Sequence, residues 1–369
     1  MTEVLIKELS NSDINWMTAN GRQQQVNRGT VLIRQQRNID TFYIVLGGTL
    51  SASIKRNQES TLASAFAALE DDTDLEQEIA RFSSGEVLGE MAFLNISTSA
   101  IAVKAIENSV VLALPQNKLL EKLGRDLEFA SRFYHAIAIL LLDRFERLIK
   151  KFTRRQNLKI PPLQDVPLLF GELNDSDIDW MIQHSIVEEI TTNTILIQAG
   201  RSVENVYLLL RGSVSVSFTE NSNSSFARLF SILENDSENN SSPGYEIAQI
   251  TRGEIIGEMA LLDIRLPNYT FKARENLQVL TIKRQQLFIK LQQNPAMGSR
   301  FYRVVAMLLS ARLQGLINRL GYGRSAYRVG QRLAQNSEYS DEIDLDVMDN
   351  ITLGGARFNW MLKRLKVSY

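Results

Sequence analysis

Gly85-Glu86-Val87-Leu88-Gly89-Glu90-Met91-Ala92 recurs as Gly253-Glu254-Ile255-Ile256-Gly257-Glu258-Met259-Ala260, 168 positions further on. The likeness extends outward in both directions. Upstream, Leu9-Ser10-Asn11-Ser12-Asp13-Ile14-Asn15-Trp16-Met17 returns 164 positions later as Leu173-Asn174-Asp175-Ser176-Asp177-Ile178-Asp179-Trp180-Met181. At that same offset Thr30, Tyr43 and Gly48 return as Thr194, Tyr207 and Gly212. Downstream, Ser131-Arg132-Phe133-Tyr134 returns unchanged as Ser299-Arg300-Phe301-Tyr302. Matches in one order with a single four-residue drift mean that a whole domain has been duplicated.

Each copy reads the same way. A short helix carrying a tryptophan leads into β-type runs. In the first copy these are Val31-Leu32-Ile33, Phe42-Tyr43-Ile44-Val45-Leu46 and Leu50-Ser51-Ala52-Ser53-Ile54, broken at Gly47-Gly48. In the second they are residues 194–197, 206–210 and 214–218, the last alternating apolar residues with serine as a half-exposed strand does. Further β runs at 101–103 and 110–114 precede a proline-free helical stretch over residues 117–152. In the second copy a helix is predicted from about Ser299 to Leu320. Phe301, Val304, Val305, Leu308, Leu309, Leu313, Leu316, Ile317 and Leu320 recur along it at three- and four-residue spacing. That stripe must be buried on its own barrel or on a partner helix, and the second option predicts a homodimer.

Pro161-Pro162 and Pro167 mark the linker between the copies. Insertions at about 55–81 and 219–246 carry the acidic run Glu70-Asp71-Asp72-Thr73-Asp74 and the polar run over 234–242, and read as loops. Each also holds a short apolar patch, at 65–69 and 226–233. The expected division is residues 1–158, 159–320 and a tail at 321–369.

Composition narrows the function. With 369 residues, 44% hydrophobic and 22% charged, the chain suits two globular domains and an added segment. A net charge of −1 offers no global attraction to nucleic acid or membrane. The absence of cysteine removes disulfides, thiol catalysis and thiolate metal sites. His135 and His184, the two histidines, sit in apolar helical contexts that read as packing. The N-terminus lacks the pattern of a signal peptide, and no apolar run is long enough to span a bilayer, so a cytoplasmic protein is expected. No nucleophile–base set, metal cluster or phosphate-transfer loop is evident, and a non-enzyme without cofactor is expected.

Glycine-bounded hairpins, then Gly-Glu-x-x-Gly-Glu-x-Ala-x-Leu, then a long helix resemble the cyclic-nucleotide-binding domain of CRP-type regulators and of cAMP-dependent kinase regulatory subunits. The resemblance covers about 300 residues in two copies. It implies an α+β fold: two jelly-roll β-barrel domains with flanking helices, here followed by a helical tail. It also implies that the Gly-Glu-x-Ala turn cradles a cyclic phosphate on backbone N–H groups. Glu90 and Glu258 would then accept a hydrogen bond from the ribose 2′-OH, with Ala92 and Ala260 as the small residues allowing close approach. The family places a phosphate-pairing arginine about nine positions beyond that glutamate. Here Ser99 and Pro267 occupy those places, with Arg265 two positions before Pro267. Losing such a charge-assisted bond costs about 1.5–3 kcal/mol, roughly tenfold to a hundredfold in affinity.

Arg324, Arg328 and Arg332 are four apart, so on a helix they share a face that repels itself unless an anion sits on it. With Tyr327 beside them, they resemble the arginine pairs of cyclic di-GMP receptors. There guanidinium pairs with phosphate or the guanine edge while tyrosine stacks on a base. Arg34, Arg37 and Arg154-Arg155 are further candidates, each read first as surface charge. The tail pairs the acidic stretch at 341–346 with the basic amphipathic end at 358–366, and reads as a docking or capping segment and not a DNA-binding module.

Tandem domains of this kind without a DNA-binding or kinase module are similar to a cyanobacterial family of cyclic di-GMP receptors, also described as bacteriocin-transport-associated. That resemblance implies a second-messenger receptor that relays its signal to a protein partner, such as a CRP-type transcription factor. The ligand-binding residues expected are Gly257, Glu258, Met259, Ala260, Arg265, Arg324, Tyr327 and Arg328. The alternatives are a cAMP or cGMP sensor, or a ligand-free scaffold associated with a transport system.

Overall fold

The computed structural model describes residues 4–35, 37–55, 76–94, 99, 101–152, 168–218, 245–262, 265–319 and 345–367. They fall into two compact units, residues 1–148 with 291–352, and residues 149–290 with 353–369.

The first unit begins with α1 (Val4–Glu8) and α2 (Asn11–Asn20). Eight strands follow: β1 (Arg22–Val26), β2 (Val31–Ile33), β3 (Thr41–Gly47), β4 (Leu50–Lys55), β5 (Glu76–Phe82), β6 (Val87–Leu88), β7 (Ala102–Ala105) and β8 (Ser109–Pro115). They form two antiparallel four-stranded sheets, ordered β1-β8-β3-β6 and β2-β7-β4-β5. Two such sheets closing on one core make the expected jelly roll. Its inward positions are apolar and fully buried, among them Phe42, Val45, Leu50, Ile54, Val103 and Leu114.

The second unit repeats this plan. Helices α5 (Leu168–Glu172) and α6 (Asp175–Gln183) lead into β9 (Ser185–Ile190), β10 (Ile195–Ile197), β11 (Asn205–Arg211) and β12 (Val214–Phe218). Then come β13 (Tyr245–Ile250), β14 (Ile255–Ile256), β15 (Tyr269–Ala273) and β16 (Leu277–Lys283). The sheet orders, β9-β16-β11-β14 and β10-β15-β12-β13, are those of the first barrel shifted by eight strands. Even the ladder irregularities coincide, at Val45/Gly47 against β8 and at Leu209/Arg211 against β16.

The helices after the barrels differ from the continuous stretches read from the sequence. In the first copy α3 (Gln116–Arg125) ends before α4 (Leu127–Phe152) begins. Asp126 makes the break, because its carboxylate accepts the Phe129 backbone N–H at 2.9 Å and so starts a new helix. In the second copy α7 (Arg284–Gln293) and α8 (Pro295–Arg319) are parted by Asn294, which caps Met297 N–H at 3.0 Å with proline following. The helix predicted from Ser299 therefore starts four residues earlier. Its apolar stripe from Phe301 to Ile317 is buried within the chain, so the stripe does not itself call for a second chain. In the first unit α8 approaches α4 closely. Tyr302 lies on the His135 ring with centroids 4.5 Å apart, and a Cβ on Gly298 would stand 2.5 Å from Ser131 Oγ. A final helix, α9 (Leu345–Arg364), forms the tail.

The repeated motif at Asp13 has a structural cause. Asp13 and Ser10 form a capping box at the start of α2, as Asp177 and Asn174 do for α6. In the first unit Asp13 also accepts a forked pair of bonds from Arg132 of α4, at 2.8 and 3.2 Å. Burial alone would raise the Asp13 carboxyl, but Arg132 and the Ser10 hydroxyl and amide outweigh it and hold the carboxyl below its usual 3.8. Both histidines are packed as read: His135 Nδ1 meets Glu8 Oε2 at 2.9 Å, and His184 stacks on Trp180. The inserted runs at 56–75 and 219–244, the proline-marked linker and Arg154-Arg155 lie outside the described residues. Among the described residues, no helix is long and apolar enough to cross a membrane.

Candidate functional site: two cassettes of unequal closure

The twin Gly-Glu blocks fold alike. The first glutamate of each holds its own turn: Glu86 accepts Ser83 N–H at 2.7 Å, and Glu254 accepts Thr251 N–H at 2.8 Å. A two-residue strand follows, then a glycine in the left-handed region, Gly89 at φ 81° and Gly257 at φ 92°. A side chain is excluded there on two counts. The backbone angle disfavours one, and a Cβ would stand 2.5 Å from Thr41 O in the first copy and 3.0 Å from Asn205 O in the second. Short 3-10 turns then run over Glu90–Phe93 and Glu258–Leu261. A left-handed residue leading into right-handed ones is the backbone pattern of an anion-binding nest, so the chemistry offered is capture of a phosphate by main-chain N–H groups.

In the first copy this cassette is already engaged. Arg144 of α4, its side chain 11% exposed, pairs with Glu90, whose side chain is 6% exposed. The same guanidinium donates to Val87 O and lies over the Phe82 ring, 4.9 Å from its centroid. Arg147, one turn on, donates to Glu86 at 3.0 Å. Phe93 of the cassette packs edge-on against Phe133 of α4, with both rings against Phe42. Helix α4 is thus bolted to the cassette by two ion pairs and an aromatic cluster. Ser99, in the place of the family arginine, is buried, and its hydroxyl donates to Ile101 O at 2.8 Å.

The second copy lacks several of these bolts. At the places of Arg147, Phe42 and Phe93 it has Gly315, Val206 and Leu261, while Arg144 has a buried counterpart in Arg312. Glu258 is buried at 2% exposure, while Met259 and Ala260 remain partly exposed. The Ala260 carbonyl accepts a bond from Arg284 at the start of α7, at 3.2 Å. A shallow recess of about 560 Å³ opens beside it, between Val203, Glu204, Lys283, Arg284 and Ile289. Pro267, in the place of the family arginine, offers only its carbonyl, which accepts Gly200 N–H at 2.8 Å.

Of the residues expected from the sequence, Gly257, Glu258, Met259 and Ala260 are contiguous in the cassette. Arg265 stands exposed in the loop before β15. Arg324, Tyr327 and Arg328 lie outside the described residues. Sequence reasoning missed Arg144, Arg147 and Arg284. A signal for the first existed: Arg144 interrupts the apolar stripe of its helix and recurs at Arg312.

The family model described as "Cyclic nucleotide-binding domain" matches residues 23–126 and 187–294. A search of curated protein sequences finds no significant match. Among solved structures, the regulatory domain of Toxoplasma gondii PKA with cAMP is 16% identical, at a TM-score of 0.28, covering 79% of this chain and 89% of that one. The regulatory subunit of a cAMP-independent protein kinase A from Trypanosoma brucei is 14% identical, at a TM-score of 0.27, covering 80% and 93%. The Thermus thermophilus catabolite activator protein is 14% identical, at a TM-score of 0.32, covering 51% and 75%. With both repeats matched by the family model and both folded around the same glycine-gated cassette, the chain belongs to the cyclic nucleotide-binding domain family.

Proposed function

We propose that this protein is a receptor for a cyclic nucleotide second messenger, that the messenger is cyclic di-GMP, and that it binds at the second cassette. The observation that carries the reading is the inequality of the two cassettes. Both keep the left-handed glycine and a buried glutamate, but the Arg147–Glu86 pair and the Phe42–Phe93–Phe133 cluster that close the first are not repeated in the second, where Gly315, Val206 and Leu261 stand. Gly257, Glu258, Met259 and Ala260 supply the phosphate turn in this reading. Arg265, with Arg324 and Arg328, supplies the positive charge missing at Pro267, and Tyr327 stacks on a base. A ligand with two phosphates and two guanines suits several dispersed arginines better than a single cyclic phosphate does. The chain works as a non-catalytic sensor in the cytoplasm, and ligand shifts the population of helix packings that a protein partner reads, such as a CRP-type transcription factor. A homodimer, if formed, uses surfaces other than the buried stripe of α8.

Calorimetric titration with cyclic di-GMP, cAMP and cGMP tests this. Cyclic di-GMP is expected to bind, with affinity lowered by Arg265→Ala and by the double change Arg324→Ala/Arg328→Ala. Binding that ignores all three substitutions overturns the site. Preference for cAMP or cGMP makes the chain a mononucleotide sensor, and silence with all three ligands leaves a scaffold.

A further inference from the structure

The second barrel carries another built surface, on the side of α5 and α6, and α9 lies on it. Arg357 of α9 donates through Nη1 to three carbonyls at the end of α5: Phe170 O at 3.1 Å, Gly171 O at 3.3 Å and Leu173 O at 2.7 Å. Its Nε donates to Asp175 Oδ1 at 3.0 Å. A guanidinium in this position satisfies the orphan carbonyls of a helix end. Two turns along α9, Arg364 pairs with Asp179. Between them Phe358 packs on Phe170 with ring centroids 5.1 Å apart, and Met361 and Leu362 are buried. Arg252, the residue before Gly253-Glu254, places its guanidinium over the Phe358 ring at 5.3 Å.

The first repeat shows what this surface looks like without such a helix. Where the second copy has Asp175 and Asp179, the first has Asn11 and Asn15. Where the second has Phe170, fully buried, the first has Ile6, 68% exposed. Ser84 stands in the place of Arg252. The copies therefore differ at the positions that α9 touches.

We propose that the α5–α6 face of the second repeat is a docking site for a basic amphipathic helix, that its occupant is this chain's own α9, and that docking is coupled through Arg252 to the second cassette. The coupling follows from placement. Arg252 sits in the turn that Glu254 holds through Thr251, five residues before Gly257, so moving Phe358 disturbs the turn that opens the cassette. The inference does not depend on the identity of the nucleotide.

Hydrogen exchange on the full chain, without added nucleotide, tests it. Arg357→Ala is expected to speed exchange across residues 353–364 by about tenfold or more, since four polar contacts lose their donor. The half-exposed pair contributes less: Asp179→Arg or Arg364→Asp alone is expected to give about a twofold to fivefold gain, with the double exchange D179R/R364D recovering most of it. Coupling is reciprocal, so Arg357→Ala should also loosen residues 251–258, and Arg252→Ala should loosen 353–364, while 83–90 of the first cassette stay as they were. Unchanged protection of 353–364 in Arg357→Ala overturns the docking site. Loosening of 353–364 without change at 251–258 overturns the coupling, and equal loosening at 83–90 reduces the effect to general destabilisation.

Discussion

Arg144 and Glu90 illustrate how one pair can decide what a pocket does. Both side chains are nearly excluded from water, so each depends on the other to offset the loss of hydration. Replacing Arg144 with alanine leaves a buried, uncompensated carboxylate, at a cost of about 3–5 kcal/mol. Chemical denaturation should show this as a lowered midpoint. Glu90→Gln, which can keep a hydrogen bond to the guanidinium, should cost less, and the double variant less than the sum of the single changes. The cassette glycines offer a second comparison. Gly257→Ala forces a Cβ into a left-handed backbone against Asn205 O and should destabilise the protein by more than about 1 kcal/mol. Gly89→Ala meets Thr41 O still closer, at 2.5 Å, and should cost more. Equal unfolding midpoints for the two variants would count against this steric reading.

At the scale of elements, α2 is held to α4 by the Asp13–Arg132 fork, and α4 is started by Asp126. Asp126 is also held below its usual value, first by the hydrogen bond from Lys122 and then by the Phe129 amide. A carboxyl depressed in the fold stabilises it above the unfolded value near 3.8, and that contribution fades as pH falls through the depressed value. Thermal unfolding followed from about pH 5 down to pH 3 should therefore show a steep acid loss. Asp13→Asn should lower stability at neutral pH and flatten that acid slope, because the titrating group is gone while the capping box keeps a weaker acceptor. An acid slope as steep as in the unchanged protein would place the titration elsewhere. The outer strands β1 and β9 belong to this scale as well. Arg22-Gln23-Gln24-Gln25-Val26 is polar and mostly exposed, yet it pairs in full register with β8, from Arg22 opposite Ala113 to Val26 opposite Ser109. Such a strand exists because a neighbouring strand offers unpaired backbone groups, whatever its own side chains prefer.

Over the whole molecule, duplication has produced two barrels with one topology and different attachments. Unequal cassettes predict unequal binding. A titration with the ligand should saturate at one nucleotide per chain, with binding lost in Glu258→Ala and kept in Glu90→Gln. Two equivalents per chain, or loss in both variants, would show that the Arg144 pair does not close the first cassette. The added helix α9 follows the same pattern, since it rests on aspartates that only the second repeat has.

Taken alone, the sequence determined the duplication, the jelly-roll class and the place of both cassettes. The duplication rests on a repeated block whose order survives, and the jelly-roll class and the cassettes rest on the family resemblance carried by the Gly-Glu blocks and the glycine-bounded hairpins. It also determined that Ser99 and Pro267 replace the family arginine, which needs only counting. The tertiary structure alone decided that Glu90 is taken by Arg144, 54 positions away, and that Arg357 reaches carbonyls more than 180 positions back. Pairings at such separations depend on how helices pack, and no local pattern encodes which buried carboxylate a given arginine will meet. The Gly-Glu blocks with which the reading began look alike, and the difference between them lies in distant residues packed behind the first, Arg147 and the Phe42–Phe93 pair, that the second copy does not repeat.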